Sequence, residues 1–336
     1  MINYLIIIIS TLIPLLIYAF LIYLSENIIL KYIGKYSKYY SSWPEHYLLI
    51  YTAGMASALQ SFLPGLSLAL TGNSKLGYYF QLYNVVLDYT ITLGTFILAF
   101  NFKKGMIDNN VLSLIMISII AQVFVLMFKQ INFFSGSILY LIFIIISIFL
   151  LYKYRKKSRE NIYIPKSSFY EYFKAMAFSL EIALAISIIY IGGNILNNIS
   201  NTLQGLNLSI PLIGYAISLI LFTLPDIVYG HFSWFKKKDL NISMASISGE
   251  EISEFTIFTG ILGMISPIKF SSQDVIPIIS SFLVLLFSII ILYISSYKKR
   301  IPRWVGVLLI SLGIIIGFID GIANLCLLYT SDAADE

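Results

Sequence analysis

Three carboxylates, Glu250, Glu251 and Glu254, fall within five residues of the stretch SGEEISEF (248–255). They lie in the middle of an apolar segment, NISMASISGEEISEFTIFTGILGMISP, that is long enough to cross a bilayer. Two more acids sit at comparable depth in other apolar runs: Asp88 in QLYNVVLDYTITLG and Asp226 directly after Pro225 in LFTLPDIVYGH. On insertion scales an acid at a helix centre costs about 2.5–3.5 kcal/mol, so five of them facing lipid would cost on the order of 10 kcal/mol or more. They must face the bundle interior or water, carry protons, or hold cations. Glu250 and Glu254 are spaced i,i+4 and Glu251 and Glu254 i,i+3, which puts all three on one side of a helix. No Lys or Arg lies at the same depth to pair with them; the nearest, Lys236, Lys237 and Lys238, belong to a loop. Clustered carboxylates without a basic partner are hard oxygen ligands, suited to Ca²⁺, Mg²⁺, Na⁺ or H⁺ rather than to soft metals. A water-filled vestibule that merely hydrates them is the bland alternative.

The elements that must position these acids are membrane helices. The chain of 336 residues is 58% hydrophobic and 12% charged, with a mean hydropathy of +0.85, whereas a soluble domain carries about 25% charged residues. Hydropathy and turn signals give spans at 4–30, 46–71, 76–101, 111–129, 134–152, 171–195, 210–235, 241–266, 275–296 and 302–322. The first is long and lacks a basic leader and a cleavage site, so it reads as a retained span. Lys and Arg concentrate in cytoplasmic loops, and of the 22 in the chain 18 fall in odd-numbered connections against 3 in even-numbered ones, with Lys174 at the start of span 6. A single missed span would scramble that split. It supports an all-α polytopic protein of ten spans in a cell membrane, both termini outside. The formal charge of +5 then reflects orientation, and no nucleic-acid partner is needed.

The chain divides in the middle. A basic linker, YKYRKKSRENIYIPKSS, separates residues 1–152 from 171–325, giving two sets of five spans with 153–170 between them. Each set carries Leu-Pro inside an apolar run, QSFLPGLSLAL in span 2 and LFTLPDIVYGH in span 7, followed by a turn and a span that ends on a glycine after an acidic core. An odd number of spans per copy inserts the second copy upside down. Inverted repeats with proline-interrupted helices in matching positions place a substrate site at the midplane. Spans 2 and 7 are therefore expected to be broken at Pro64 and Pro225, freeing backbone groups that a bound cation can satisfy.

Other features rank lower. Glu181 is a peripheral proton relay or a satisfied interhelical acid; Asp320, Glu26, His46 and His231 lie near span ends and are expected at the interface. No Walker loop, GxSxG or HExxH motif occurs, so a transporter is expected rather than an enzyme, with no cofactor. The expected partners are inorganic cations and the lipid bilayer, with the chain a monomer. The last eleven residues, CLLYTSDAADE (326–336), resemble the translation of a sequencing-library adapter and are set aside as a non-native tail. Setting aside Asp332, Asp335 and Glu336 takes the charge from +5 to +8, and leaves Cys326, the only cysteine, without a role.

The two repeats resemble the cation/Ca²⁺ exchanger superfamily, the sodium/calcium exchanger-like antiporters. That family's motifs run approximately G-T-S-L-P-E in one helix and G-N-x-x-G-S-N-I-F-N-x-x-x-x-x-G in the next. Here they correspond to about 58–94 and 219–260, with QSFLPG and LFTLPD as the first motif and Gly94 and Gly260 as the closing glycines. LIGYAISLILFTLPD and RIPRWVGVLLISLGIII also look like family segments. The family's glutamate falls on Gly65 in the first repeat and on Asp226 in the second. Its later ligand positions fall on Asn84, Val85 and Asp88, and on Glu250, Glu251 and Glu254. Ser61 and Thr223 keep a hydroxyl where Phe62 and Phe222 lose one. The resemblance implies an antiporter that exchanges a divalent cation, Ca²⁺ foremost, for Na⁺ or H⁺ by alternating access. Its cation site is Asp88, Asp226 and Glu254, with Glu250, Glu251, Asn84, Ser61 and Thr223 completing it. The alternative is a non-transporting derivative that senses a cation or binds a partner, because Gly65 offers no carboxylate.

Overall fold

The computed structural model describes residues 11–21, 24, 54–100, 102, 109–154, 169–237, 241–298 and 300–332. Glu26, His46 and most of the basic linker lie outside them, as does the side chain of Glu181. The elements are helical almost throughout. Helix α1 covers Thr11–Leu21 and α2 covers Gly54–Leu70. Helix α3 runs Ser74–Leu87, passes through a π-helical turn at Asp88–Thr92 and continues as Leu93–Ala99. Helices α4 (Asn109–Leu126), α5 (Phe133–Tyr154) and α6 (Phe169–Gln204) follow. Helix α7 runs Ile210–Ser218, a π turn at Leu219–Thr223 and Leu224–Lys237. Helix α8 runs Asn241–Ser253, a π turn at Glu254–Phe258 and Thr259–Ile265. Helices α9 (Val275–Ser296) and α10 (Arg303–Asp332) close the chain. Six of the described helical stretches are long and apolar enough to cross a membrane: Ser74–Ala99, Asn109–Leu126, Phe133–Leu150, Ile210–Val228, Ser272–Ser296 and Arg303–Cys326.

Helices α2, α3, α7 and α8 meet at the centre. Helix α2 packs on α3, α6 and the first part of α8, and α3 packs on the start of α7. The last part of α3 lies against α10, and the last part of α8 against α5. Both of these outer contacts are glycine on glycine. A Cβ on Gly94 would sit 2.9 Å from the carbonyl oxygen of Gly306, and one on Gly306 2.6 Å from that of Gly94. A Cβ on Gly260 would sit 2.7 Å from the Gly136 oxygen, and one on Gly136 2.5 Å from that of Gly260. Only glycine lets these backbones approach so closely. A two-residue ladder, β1 (Gln130–Ile131) antiparallel to β2 (Ile268–Lys269), pairs the α4–α5 turn with the α8–α9 turn.

Two expectations change. Helix α2 is continuous through Pro64. Helix α7 passes Pro225 by widening into a π turn one residue before Leu224-Pro225, so neither helix is interrupted. A proline cannot bond the carbonyl four residues back, and a π turn, with its i→i+5 pattern, redistributes those bonds without ending the helix. Thr223 contributes by donating its hydroxyl to the Ser218 carbonyl at 3.4 Å. The tail also differs from its surroundings less than expected: α10 extends to Asp332, since no helix breaker separates Cys326 from it.

Candidate cation site

Helix α3 brings Gln81, Asn84 and Asp88 to the centre, α2 brings Ser61, α7 brings Asp226, and α8 brings Glu250, Glu251 and Glu254; all are buried, Asp226 the most exposed of them at 7%. Carboxylate oxygens of Asp88, Asp226 and Glu250 lie within 4.8 Å of one another. Three acids from three helices thus meet in one place, although they are 138 positions apart (226 − 88) and 24 apart (250 − 226) along the chain. Glu254 sits beside them, engaged by the Ser61 hydroxyl in a short hydrogen bond and by Asn84 Nδ2 at 3.0 Å. Asn84 Nδ2 also donates to Glu250 Oε1 at 2.8 Å, and Gln81 Nε2 donates to Ser61 Oγ at 3.0 Å. The two amides spend their N–H groups on the acids and the serine. Their oxygens, Gln81 Oε1 and Asn84 Oδ1, are buried with no hydrogen-bond partner.

Asp88 Oδ2, Glu254 Oε2 and both oxygens of Glu251 are buried without a hydrogen-bond donor, and Glu251 feels the repulsion of Asp88, Glu250 and Glu254. Among the described residues the ion pair Lys75–Asp274 lies away from this cluster and lends it no positive charge. Buried acceptors that lack donors carry the full cost of losing water. What such a set can do is bind positive charge. It is built from oxygen alone, the donor chemistry of Ca²⁺ and Na⁺, so the residues fit a hard cation.

The π turns shape the site. Asp88 and Glu254 each stand at the first position of one, in the matching sequences DYTIT and EFTIF. The wider turn leaves carbonyls short of partners, and hydroxyls fill in: Thr90 donates to Val86 O at 2.7 Å, Thr256 to Ile252 O, and Thr259 to Glu254 O at 2.6 Å. Gln122 of α4 donates Nε2 to the Phe255 carbonyl at 2.8 Å. Thr92 reaches Asp88 Oδ1 at 2.9 Å and fixes that carboxylate.

Of the eight residues expected at the site, the hydrogen bonds and the acid cluster draw six together, and Glu251 stands beside them through charge repulsion alone. The eighth, Thr223, spends its hydroxyl on the backbone of its own helix. Gln81 escapes the sequence reading, for want of a charge to mark it; its spacing of three from Asn84 is the available signal. The π turns escape it as well, although acid–aromatic–Thr–Ile–x–x–Gly recurs at 88–94 and 254–260.

Gly65 needs a different account. A Cβ there would meet the Gly77 carbonyl oxygen at 3.3 Å and Leu262 at 3.5 Å, and a Cβ on Gly77 would lie 2.7 Å from the Gly65 oxygen. The position serves the close approach of α2 and α3. Phe62 and Phe222, which replace hydroxyls, also pack helices together: Phe62 stacks on Phe258 of α8 at 4.2 Å and Phe222 meets Phe80 of α3 edge-on at 5.8 Å. Asp320, expected at the interface, is 1% exposed and accepts a 2.5 Å hydrogen bond from Tyr83. His231 is half-buried beside Phe96 and Phe100, with Nδ1 2.8 Å from the Ile227 carbonyl oxygen.

Residues 179–319 match the family model of the sodium/calcium exchanger protein. The chain resembles the sodium/calcium exchangers. Solved structures of the sodium-calcium exchanger NCX_Mj share the fold. The form soaked with 10 mM Na⁺ and zero Ca²⁺ superposes with a TM-score of 0.61 at 13% identity, covering 92% of this chain and 98% of that one. The form soaked with 2.5 mM Na⁺ and 1 mM Sr²⁺ gives 0.62 at 14% identity, covering 92% and 97%. A form soaked with 2.5 mM Na⁺ and 0.1 mM Ca²⁺ gives 0.55 at 14%, covering 91% and 95%. No curated protein sequence matches the chain. The exchanger likeness is thus carried by the second half in sequence and by nearly the whole chain in fold.

Proposed function

We propose that the chain is a secondary active cation antiporter of the sodium/calcium exchanger type. It exchanges a divalent cation, Ca²⁺ in the first instance, for Na⁺ or H⁺ at the midplane, in a cell membrane. The observation that carries this reading is the meeting of Asp88, Asp226 and Glu250 within 4.8 Å, from three helices. The fold shared with NCX_Mj, a sodium-calcium exchanger, lends it support. Ten spans arranged as two inverted repeats fit the observed pairs: π turns beginning at Asp88 and Glu254, and glycine contacts at Gly94–Gly306 and Gly136–Gly260. Such repeats move one bundle against the other around a fixed site, here α1 and α6 past the core. Two cations competing for the same oxygens suffice to couple opposite fluxes.

Uptake of ⁴⁵Ca²⁺ or ²²Na⁺ into proteoliposomes under an imposed Na⁺ or H⁺ gradient tests the proposal. Uptake should follow the gradient and vanish in Asp226→Asn combined with Glu254→Gln. Gradient-independent uptake, or full activity in that double variant, would sink it. Saturable cation binding without flux would instead favour a sensing derivative that kept the fold.

A further inference from the structure

Asp320 lies outside the central acid cluster, on α10, and is 1% exposed. Oδ2 accepts the Tyr83 hydroxyl at 2.5 Å, while Oδ1 is buried with no hydrogen-bond partner. The groups that interact with it directly are phenols; of the charged groups on the elements around it, Asp274 takes the Tyr79 hydroxyl at 2.9 Å and pairs with Lys75, and Asp88 stands in the α3 π turn that packs on α10. Tyr83 and Tyr79 come from α3, and Tyr215, whose own hydroxyl donates to the Gly313 carbonyl at 3.0 Å, comes from α7. Helix α9, packed along α10, carries no charged side chain between Val275 and Ser296. The charged residues of α10 itself, Arg303 and Asp332, stand at its two ends. Among the described residues no basic side chain reaches Asp320.

One carboxyl with one phenol donor is too few oxygens for a Ca²⁺ or Na⁺ shell, which takes six or more ligands for Ca²⁺. A proton needs a single oxygen, and Oδ1 offers one. A cavity comes within one helical turn of it. About 350 Å³ in volume and lined by Lys75, Gln204, Asn207, Ser209, Asp274 and Asn324 among others, it opens beside the end of α10. Asn324 is one turn from Asp320 on the same helix face (i,i+4).

We propose that Asp320 is a proton-binding site, separate from the cation cluster and supplied from this cavity. Its phenol partner Tyr83 adjoins Asn84, which holds Glu250 and Glu254, so one hydrogen bond and one residue of α3 separate the proton from the cation site, and the two share no ligand.

Infrared difference spectra of the purified chain in lipid, recorded between neutral and acidic pH, detect the C=O stretch of a newly protonated carboxyl. The expected result is a band that Ca²⁺ leaves unchanged, that is lost in Asp320→Asn, and that persists in Asp226→Asn plus Glu254→Gln. Tyr83→Phe, which removes the donor and not the acid, should shift its frequency. A spectrum unaltered by Asp320→Asn overturns the proposal, as does loss of the band in the double variant instead. Should Asp320→Asn fail to fold, a Tyr83→Phe spectrum superimposable on the unmodified chain overturns it. The readout does not require transport, so failure of the antiporter reading leaves it standing.

Discussion

Asn84 does two jobs with one side chain. Its amide nitrogen holds Glu250 and Glu254 together, and its oxygen is buried without a partner, available to a cation. Asn84→Leu removes both, so cation binding should weaken about tenfold or more, about 1.4 kcal/mol. The measurement is thermal stability against Ca²⁺ concentration. At a hundred times Kd the ligand stabilises by about 2.7 kcal/mol, and a tenfold weaker site loses about half of that. A thermal shift equal to that of the unmodified chain would remove Asn84 from the site. This residue is legible in the sequence only by comparison with the second repeat, where Glu250 stands in its place. The acids are legible at once, because charge at membrane depth is costly and therefore conspicuous. Gln81 is not, since a neutral amide in a polar-tolerant stretch carries no such mark. Asp320 misleads for a related reason: distance from a span end says where a residue starts, and the Tyr83 hydroxyl that lets it stay buried comes from 237 positions away.

Helix contacts in this molecule turn on small residues. At Gly260 a Cβ would press on the Gly136 carbonyl oxygen, whereas at Gly321 a Cβ meets nothing within 4 Å. Gly260→Ala should cost about 1–3 kcal/mol through overpacking, and Gly321→Ala should cost nothing. Melting temperatures of the two variants in one detergent check this, and equal values would refute the packing argument. The spans themselves are readable from hydropathy: the boundaries of α7 and α9 and the start of α10 fall close to expectation, while α10 ends ten residues beyond it. What hydropathy does not show is how a helix passes a proline. Leu-Pro in a run reads equally as a kink or a break, and here α2 stays continuous while α7 widens. In α7 the widening goes with the Thr223 hydroxyl that reaches the Ser218 carbonyl, and hydropathy does not register that bond.

At the scale of the molecule, the basic residues make the sharpest statement. If odd-numbered connections are cytoplasmic, a cysteine placed at Lys129 should react with a membrane-impermeant thiol reagent added outside. One placed at Lys237 should react only after permeabilisation, both in a Cys326→Ser background. Reversed labelling would invert the topology and reassign the cavity beside Asn324 to the inner face. Fold-level likeness to NCX_Mj at 13–14% identity shows how little sequence such an architecture must keep. One thing it must keep is helical phase. A π turn holds one residue more than an α turn, and each residue advances an α-helix by about 100°. In α3 and α8 that surplus residue falls between the acids and the closing glycines, Gly94 and Gly260. Removing one residue there would leave the acids aimed at the cation site and swing the glycines off α10 and α5. The extra residue acts as a spacer that lets one helix obey two partners on different sides, so these turns set the chain's tolerance to insertion and deletion.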